Sequence, residues 1–504
     1  MLALRFEPFS PKLGQISSTM NNPESSTSQV AAPAIALVRT PRESFHPVKS
    51  ARALVGATLP ARCSADPVSG RIRSAVWILA ILLLTATVWA GDRVVVINEI
   101  MYHPPYDRED LQYVELFNLG ESAVDLSRWS FSKGIKFDFP ANTRMEPGSH
   151  LVICRNLAQF ATNYGKDVAT IGNFSGKLSH QGDRLDLSDA QKKIIDSVKY
   201  SDRDDWPTGP DGYSASLERI CPTAESQLPD NWAASKLPAA KAPSGTPGRQ
   251  NDNFSAKLPP AISTVEVSPK APSPGQAVTV RATVSDGEGV KAVALLYSVA
   301  TPGKESAEAQ RPMTRKSGDA RKGVYEATLE GQPAARLVRF RIKAESSSSV
   351  ERIQPSENEP RRTYSYYTLA GPNTARVPFG FVVNTTRMER AAPQWFGNPR
   401  PGRPDGTPSR GTSAFVYVPP DGAGGEVFDH VRVVPRKGGY KVHFQKDRPL
   451  HGMTSINIIS EGPPRWVLSE PLAYELYRLA GVPAPQTEHV RFWLDGRPLG
   501  YQLL

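Results

Sequence analysis

From Val94 onward, apolar and polar positions alternate in short runs separated by turn residues. The runs are VVVINEIM (94–101), QYVELFN (112–118), VDLSRWSFS (124–132), KFDFP (136–140), HLVICRN (150–156), DRLDLSD (183–189) and DSVKY (196–200). In QYVELFN, Val114 and Leu116 face one way while Tyr113, Glu115 and Phe117 face the other, the period of two that marks a strand. Turn residues at Leu119-Gly120-Glu121, Glu146-Pro147-Gly148 and His180-Gln181-Gly182-Asp183 punctuate them. Many short strands at this spacing predict a β-sandwich over 93–222.

The pattern resumes after LPAAKAPSGTPGRQNDNFSAKLPPA (237–261), whose Pro, Ala and Ser content predicts a semi-extended linker within 223–261. Runs at 262–269, 277–286, 290–299, 323–331 and 337–346 predict a second sandwich over 262–369. Val278, Val280, Ala282 and Val284 form one apolar face of it. Residues 370–426 are rich in Pro, Gly and Arg and are expected to be irregular. Beyond them, Leu468, Leu472, Leu476 and Leu479 have helical spacing, with Ser469 as cap, Pro471 in the first turn and Gly481 as terminator. HVRFWLDGRPLGYQLL predicts a hairpin about Asp495-Gly496.

The chain has 504 residues, enough for about three domains at roughly 150 residues each. Its 46 Pro and 38 Gly suit turns and short strands, and no run of apolar segments suits a polytopic transporter. Positions 75–90, AVWILAILLLTATVWA, follow Arg71 and Arg73 and end in a small residue, as in a signal peptide or an N-terminal anchor. The expected location is therefore secreted, periplasmic or at the cell surface, with membrane contact only if 75–90 is retained. Residues 1–70 lack any period and are expected to be disordered, which suggests a start nearer Arg71. Residues 1–90 hold nine Lys and Arg against four Asp and Glu, half of the net charge of +10, so the charge is weak evidence for nucleic-acid binding. Three Cys exclude a disulfide scaffold and a four-Cys zinc site. Cys154 and Cys221 could form one disulfide or stand as two buried thiols.

Two carboxylates, Glu99 and Glu115, fall on neighbouring predicted strands. They would be either an acid/base dyad or hydrogen-bonded strand carboxylates, and no nearby His or nucleophilic Ser favours the dyad. Asp202, Asp204, Asp205 and Asp211 surround Trp206 and offer hard oxygen ligands for Ca²⁺, without the Gly and terminal Glu of a calcium loop. Trp129 and Trp206 are expected to anchor core or turns. Arg387, Arg390, Arg400, Arg403 and Arg410, with Trp395 and Phe396, offer a nucleic-acid surface or a basic linker.

INEIMYHPP, YVELFNLGESAVDLSRWSFS, FPANTRMEPGSHLVI, LSHQGDRLDLSD and DSVKYSDRDDWPTGPDGYSASLER, in that order, resemble a lamin-tail domain of the bacterial, exported kind. DNWAAS and GTPGRQN resemble its exit segment. The resemblance implies an immunoglobulin-like fold with no catalytic role, serving binding or adhesion to a protein or cell-surface polymer. The second sandwich resembles an immunoglobulin-like or fibronectin-type-III spacer. YKVHF, SINII and EPLAYELYRLAGVPAPQTEHVRFWLDGRPLGYQLL resemble the opening of the CotH (spore coat protein H) kinase family. That resemblance implies an incomplete α+β kinase-like N-lobe over 427–504. Within it Lys441 would contact ATP phosphates and Glu470 would orient Lys441, while the Mg²⁺ ligands would come from a later lobe. The chain as it stands is therefore expected to be a mainly β, non-catalytic binding protein with an unfinished sheet at its end, and the alternative is a fragment of a secreted atypical protein kinase.

Overall fold

The computed structural model describes residues 94–237, 244–386, 412–422, 424–436, 438–460 and 468–504. The signal-like run 75–90, the extension 1–70 and the arginines of 387–411 lie outside the described residues. The described chain is mainly β.

The first sandwich has two sheets. One runs Trp232–Ala234, Leu217–Arg219, Val95–Met101, Tyr113–Asn118, His150–Cys154, Thr170–Gly172, and the other Ile194–Ser201, Gly182–Ser188, Ser130–Lys133, Ile135–Asp138, Ser175–Gly176. Val114 and Leu116 point into the layer between them with Ile97, Phe131, Leu185, Leu187 and Val198. Each such side chain taken fully out of water contributes about 1.5–3 kcal/mol. Trp206 and Trp232 close one end of this core, and Trp129 packs at its margin.

The opposite face of the first sheet is covered too. Helix α1 (Leu157–Tyr164), capped by the Asn156 side chain on the Gln159 amide, lays Phe160 and Tyr164 edge-on to Tyr113. Residues 244–256, expected to be linker, pack on the same face with Thr246 and Asn251 buried. A polar segment can be buried there because the strands beneath present carboxylates for it to bond. The sequence alternation in QYVELFN thus divides two buried layers, an apolar one and a polar one. Cys154 and Cys221 are both buried free thiols.

The second sandwich stacks the sheet Ala261–Ser268, Val278–Ser285, Lys322–Leu329, Thr314–Gly318 on one centred on Val290–Thr301 and Arg336–Ser346. The face Val278, Val280, Ala282 and Val284 meets Leu295, Phe340 and Ile342 as the alternation predicts.

The last unit departs from expectation. Phe379–Asn384 and Ser413–Val418, within the stretch expected to be irregular, are strands. Phe379–Asn384 pairs parallel with His489–Leu494 and closes seven strands into a barrel, in place of the expected unfinished sheet. FGFVVN and SAFVYV carry the apolar alternation, hidden in the sequence by the Pro- and Arg-rich residues between them. Helix α2 (Ser469–Leu479) begins at Ser469 with Leu468 in the cap position, and Gly481 follows its end at φ +74°. No residue of α2 is buried, and Leu472, Leu476 and Leu479 are exposed. Among the described residues no helix is long and apolar enough to cross a membrane.

Polar contacts join the three units. Glu359 accepts from the Thr208 amide, the Thr208 hydroxyl and the Gly209 amide, and the Tyr213 hydroxyl donates to Gln445 at 2.6 Å. Gly209 is needed for this approach: a Cβ there would lie 2.6 Å from the Ala234 methyl and 3.0 Å from the Asn358 carbonyl.

Candidate functional site

The first candidate site is the polar layer of the first sandwich. The registers Glu99↔Glu115 and Glu99↔Glu218 place three carboxylates side by side on adjacent strands, all fully buried. Sequence reasoning brought the first two together and missed Glu218, which stands on a strand of three residues, Leu217–Arg219, too short for a period to show.

Every one of the three is held by local donors. Glu99 Oε1 accepts from the Tyr113 hydroxyl at 2.8 Å, the Thr246 amide at 2.9 Å and the Ser216 hydroxyl. Glu115 accepts from Asn98 Nδ2 at 2.9 Å and from the Gly248 amide, and Glu218 accepts from the Thr246 hydroxyl at 3.0 Å and Asn253 Nδ2 at 2.7 Å. Burial, then the Glu218 charge, lifts Glu99 from 4.5 to about 7. Burial, then the Glu99 charge, raises Glu115 well above its ordinary range, and burial raises Glu218. Burial thus shifts all three carboxyls toward their neutral forms. Their oxygens are taken up by the segment above them, so the dyad is a set of hydrogen-bonded strand carboxylates.

A second cluster forms where the first strand ends. His103 is buried, with Nδ1 2.6 Å from Asp211 Oδ1 and Nε2 2.7 Å from Asp107 Oδ1. Its ring stacks on His180 at 3.7 Å. Tyr106 and Asp107 both take positive φ, an uncommon conformation for residues with a Cβ, which turns the Asp107 carboxylate back onto His103. Gly212 abuts the imidazole, where a Cβ would come within 3.2 Å of His103 Cε1. Burial opposes ionisation of Asp211, yet the His103 hydrogen bond and the Lys446 charge keep it below its ordinary value. Burial, then the His103 charge, lowers His180.

The acidic loop is taken apart by the fold. Asp211 turns to His103 and Lys446, and Asp202 lies 3.4 Å from Arg203. Asp204 and Asp205 are exposed at a cleft of about 340 Å³ against the second sandwich, which Arg352 and Tyr364 also line. Among the described residues these four aspartates do not converge as one ligand group, whereas His103, Asp107 and His180 do. Spacing could have found part of this group, since MYHPPYD sets His103 and Asp107 four positions apart.

In the barrel, Lys441 is half-buried on Gly439–His443, opposite Val434 and Asn457. The register puts it on one face with Arg432, Arg436 and His443. Burial and the Arg432, Lys441 and Arg436 charges push His443 down to about 4. Glu470 stands in the first turn of α2.

The first unit is thus a two-sheet β module with a buried carboxylate layer and a histidine–aspartate cluster at its edge. Residues 90–202 match the family model of the Lamin Tail Domain. No curated protein matches the chain. Solved structures resembling parts of it include an alkylpurine DNA glycosylase from Pseudomonas fluorescens bound to DNA with an abasic-site analogue (11% identity, 19% of this chain and 29% of that one, TM-score 0.14). Others are the sporulation control protein Spo0M from Bacillus subtilis (11%, 37% and 79%, 0.15) and a purple acid phosphatase from yellow lupin (11%, 58% and 44%, 0.18). The chain spans less than a third of the glycosylase chain. Such scores carry no functional argument. The matched segment ends before Leu217–Arg219 and the segment 244–256, both of which complete the first sandwich.

Proposed function

We propose that this is an exported multidomain binding or adhesion protein, in which the lamin tail domain is a binding module carried beside two further β units. The observation behind this reading is the fate of the carboxylates in the lamin tail domain: Glu99, Glu115 and Glu218 are closed off by internal donors and serve the fold. Surfaces then remain as the means of action, and the ligand class is a protein or a cell-surface polymer. Co-sedimentation of the purified chain with isolated cell envelopes tests it. Saturable binding that is competed by excess unlabelled protein is expected, and recovery wholly in the supernatant would overturn it. N-terminal sequencing of the exported product tests the location, with a new terminus near Gly91 expected.

A second reading, a fragment of a CotH-type kinase, is favoured by one observation: Lys441 shares its face with Arg432 and Arg436, a basic strip suited to phosphate. Titration with a fluorescent ATP analogue and Mg²⁺ separates the readings. Affinity lost in Lys441→Ala favours the kinase reading, and no affinity in the parent chain removes it.

A further inference from the structure

We infer that His103, Asp107 and His180 form a zinc site at the edge of the lamin tail domain, with Asp211 as the residue that positions His103. Both ring nitrogens of His103 face carboxylate oxygens, Nδ1 at Asp211 and Nε2 at Asp107, and an ionised carboxylate only accepts. A neutral imidazole has one N–H. A protonated ring satisfies both carboxylates with two N–H donors; in the neutral ring, with its proton on Nδ1 donated to Asp211, a cation bound at Nε2 takes the place of the second proton against the Asp107 carboxylate. This is the carboxylate–histidine–metal arrangement by which proteins fix the tautomer of a ligating histidine.

A second observation points to the same place. His180 Nε2 is buried and has no hydrogen-bond partner among the described residues, so in the tautomer with its proton on Nδ1 it holds an unpaired lone pair. The three ligand atoms lie within 4.8 Å of one another, whereas donors about a tetrahedral zinc ion stand roughly 3.3 Å apart for ligand bonds of about 2.0–2.1 Å. Zinc binding requires the half-buried His180 ring to turn out of its stack on His103 and the Asp107 carboxylate to draw back from its 2.7 Å contact with His103 Nε2. Two imidazoles and one carboxylate suit zinc over calcium or magnesium, which prefer all-oxygen sets. Three protein ligands leave a fourth position for water or a ligand group from a partner. Any proton on His103 Nε2 is released to solvent as the ion binds. Lys446 of the barrel lies 3.3 Å from Asp211 on the positioning side, so the site stands where the lamin tail domain meets the barrel.

Cobalt(II) titration of the full chain, stripped with chelator, tests the site. One equivalent should give the intense visible absorption of a four- or five-coordinate ion, abolished by stoichiometric zinc. His180→Ala, at a half-exposed position, should lose this band with an unchanged far-UV circular dichroism spectrum. Asp211→Asn should retain the band and weaken cobalt binding about 10- to 100-fold, the usual effect of removing an orienting partner. The Asp204→Asn/Asp205→Asn variant should bind as the parent does. Only an octahedral, weakly absorbing spectrum in the parent, or an undiminished band in folded His180→Ala, would overturn the assignment.

Discussion

Arg339 grips Asp429 with two parallel hydrogen bonds, Nε to Oδ2 at 2.9 Å and Nη2 to Oδ1 at 2.7 Å, and so fastens the second sandwich to the barrel with a buried bidentate ion pair. Nη1 also reaches Glu305 at 2.6 Å and the Thr385 hydroxyl at 3.1 Å. Fork-to-fork geometry of this kind fixes orientation as well as energy.

Arg339→Met should therefore be severe, because it strands the Asp429 charge in a buried place. A loss of about 3–5 kcal/mol is expected, read as a lowered denaturant midpoint. Arg339→Met with Asp429→Leu should recover much of that loss, since neither charge is then left alone. Burial works against the Asp429 charge, yet the charges of His430 and Arg339 hold its carboxyl well below 3.8. A depressed carboxyl contributes stability above its ordinary value and loses it in acid, so this contribution should vanish as pH falls below about 3.8. Equal acid sensitivity in the double variant would show that another group is responsible.

Glu99 gives the opposite sign in a different window. Its carboxyl titrates near 7 in the fold and at 4.5 in the unfolded chain, so the folded state holds a proton that the unfolded state releases. Stability should then fall as pH rises from about 4.5 to 7, by about 3 kcal/mol from this group. Glu99→Gln can keep Oε1 for Tyr113, Ser216 and Thr246 while removing the ionisation. It should fold and flatten the profile between pH 5 and 8 in thermal melts. A slope unchanged by the substitution would refute the assignment.

Thr246 is the clasp of the segment over that layer. Its hydroxyl stands 3.0 Å from Glu218, 3.2 Å from Asn251 and 3.3 Å from Glu99. Thr246→Val keeps the shape and removes the hydroxyl, so about 1–3 kcal/mol should be lost. Hydrogen exchange should show faster opening at the 246 and 248 amides, with the second sandwich unaffected.

Helix α2 exposes Leu472, Leu476 and Leu479, with Leu479 at 76%. Such an apolar face promotes self-association. Leu472→Glu with Leu476→Glu should lower the apparent mass at high concentration in light scattering, without altering the melting temperature by more than a few degrees.

Much of this architecture is legible in the chain, and the gaps have physical causes. Val278, Val280, Ala282 and Val284 announce their face because one side of the strand meets apolar neighbours and the other polar ones. The sheet under Glu99 obscures its own layout because both faces are buried, and the polar face reads as if it were solvated. Its cover comes from Pro- and Gly-rich residues whose composition matches a linker. The barrel strand Phe379–Asn384 is recognisable only with its partner His489–Leu494, far along the chain. The histidine cluster is similarly non-local, since 108 positions separate His103 from Asp211 and local spacing gives only the Asp107 half.

The first strand of the first sandwich has a consequence for the newborn chain. Val95–Met101 emerges from the ribosome before any other element of its sandwich, yet one of its two neighbours, Leu217–Arg219, follows some 122 positions later. At about 5–20 residues per second, translation leaves that edge unfilled for roughly ten seconds. The Thr246 donor to Glu99 arrives later still, 147 positions downstream. Throughout that interval the nascent polypeptide presents an apolar strand with an open side and an uncovered carboxylate row, a natural substrate for a holding chaperone.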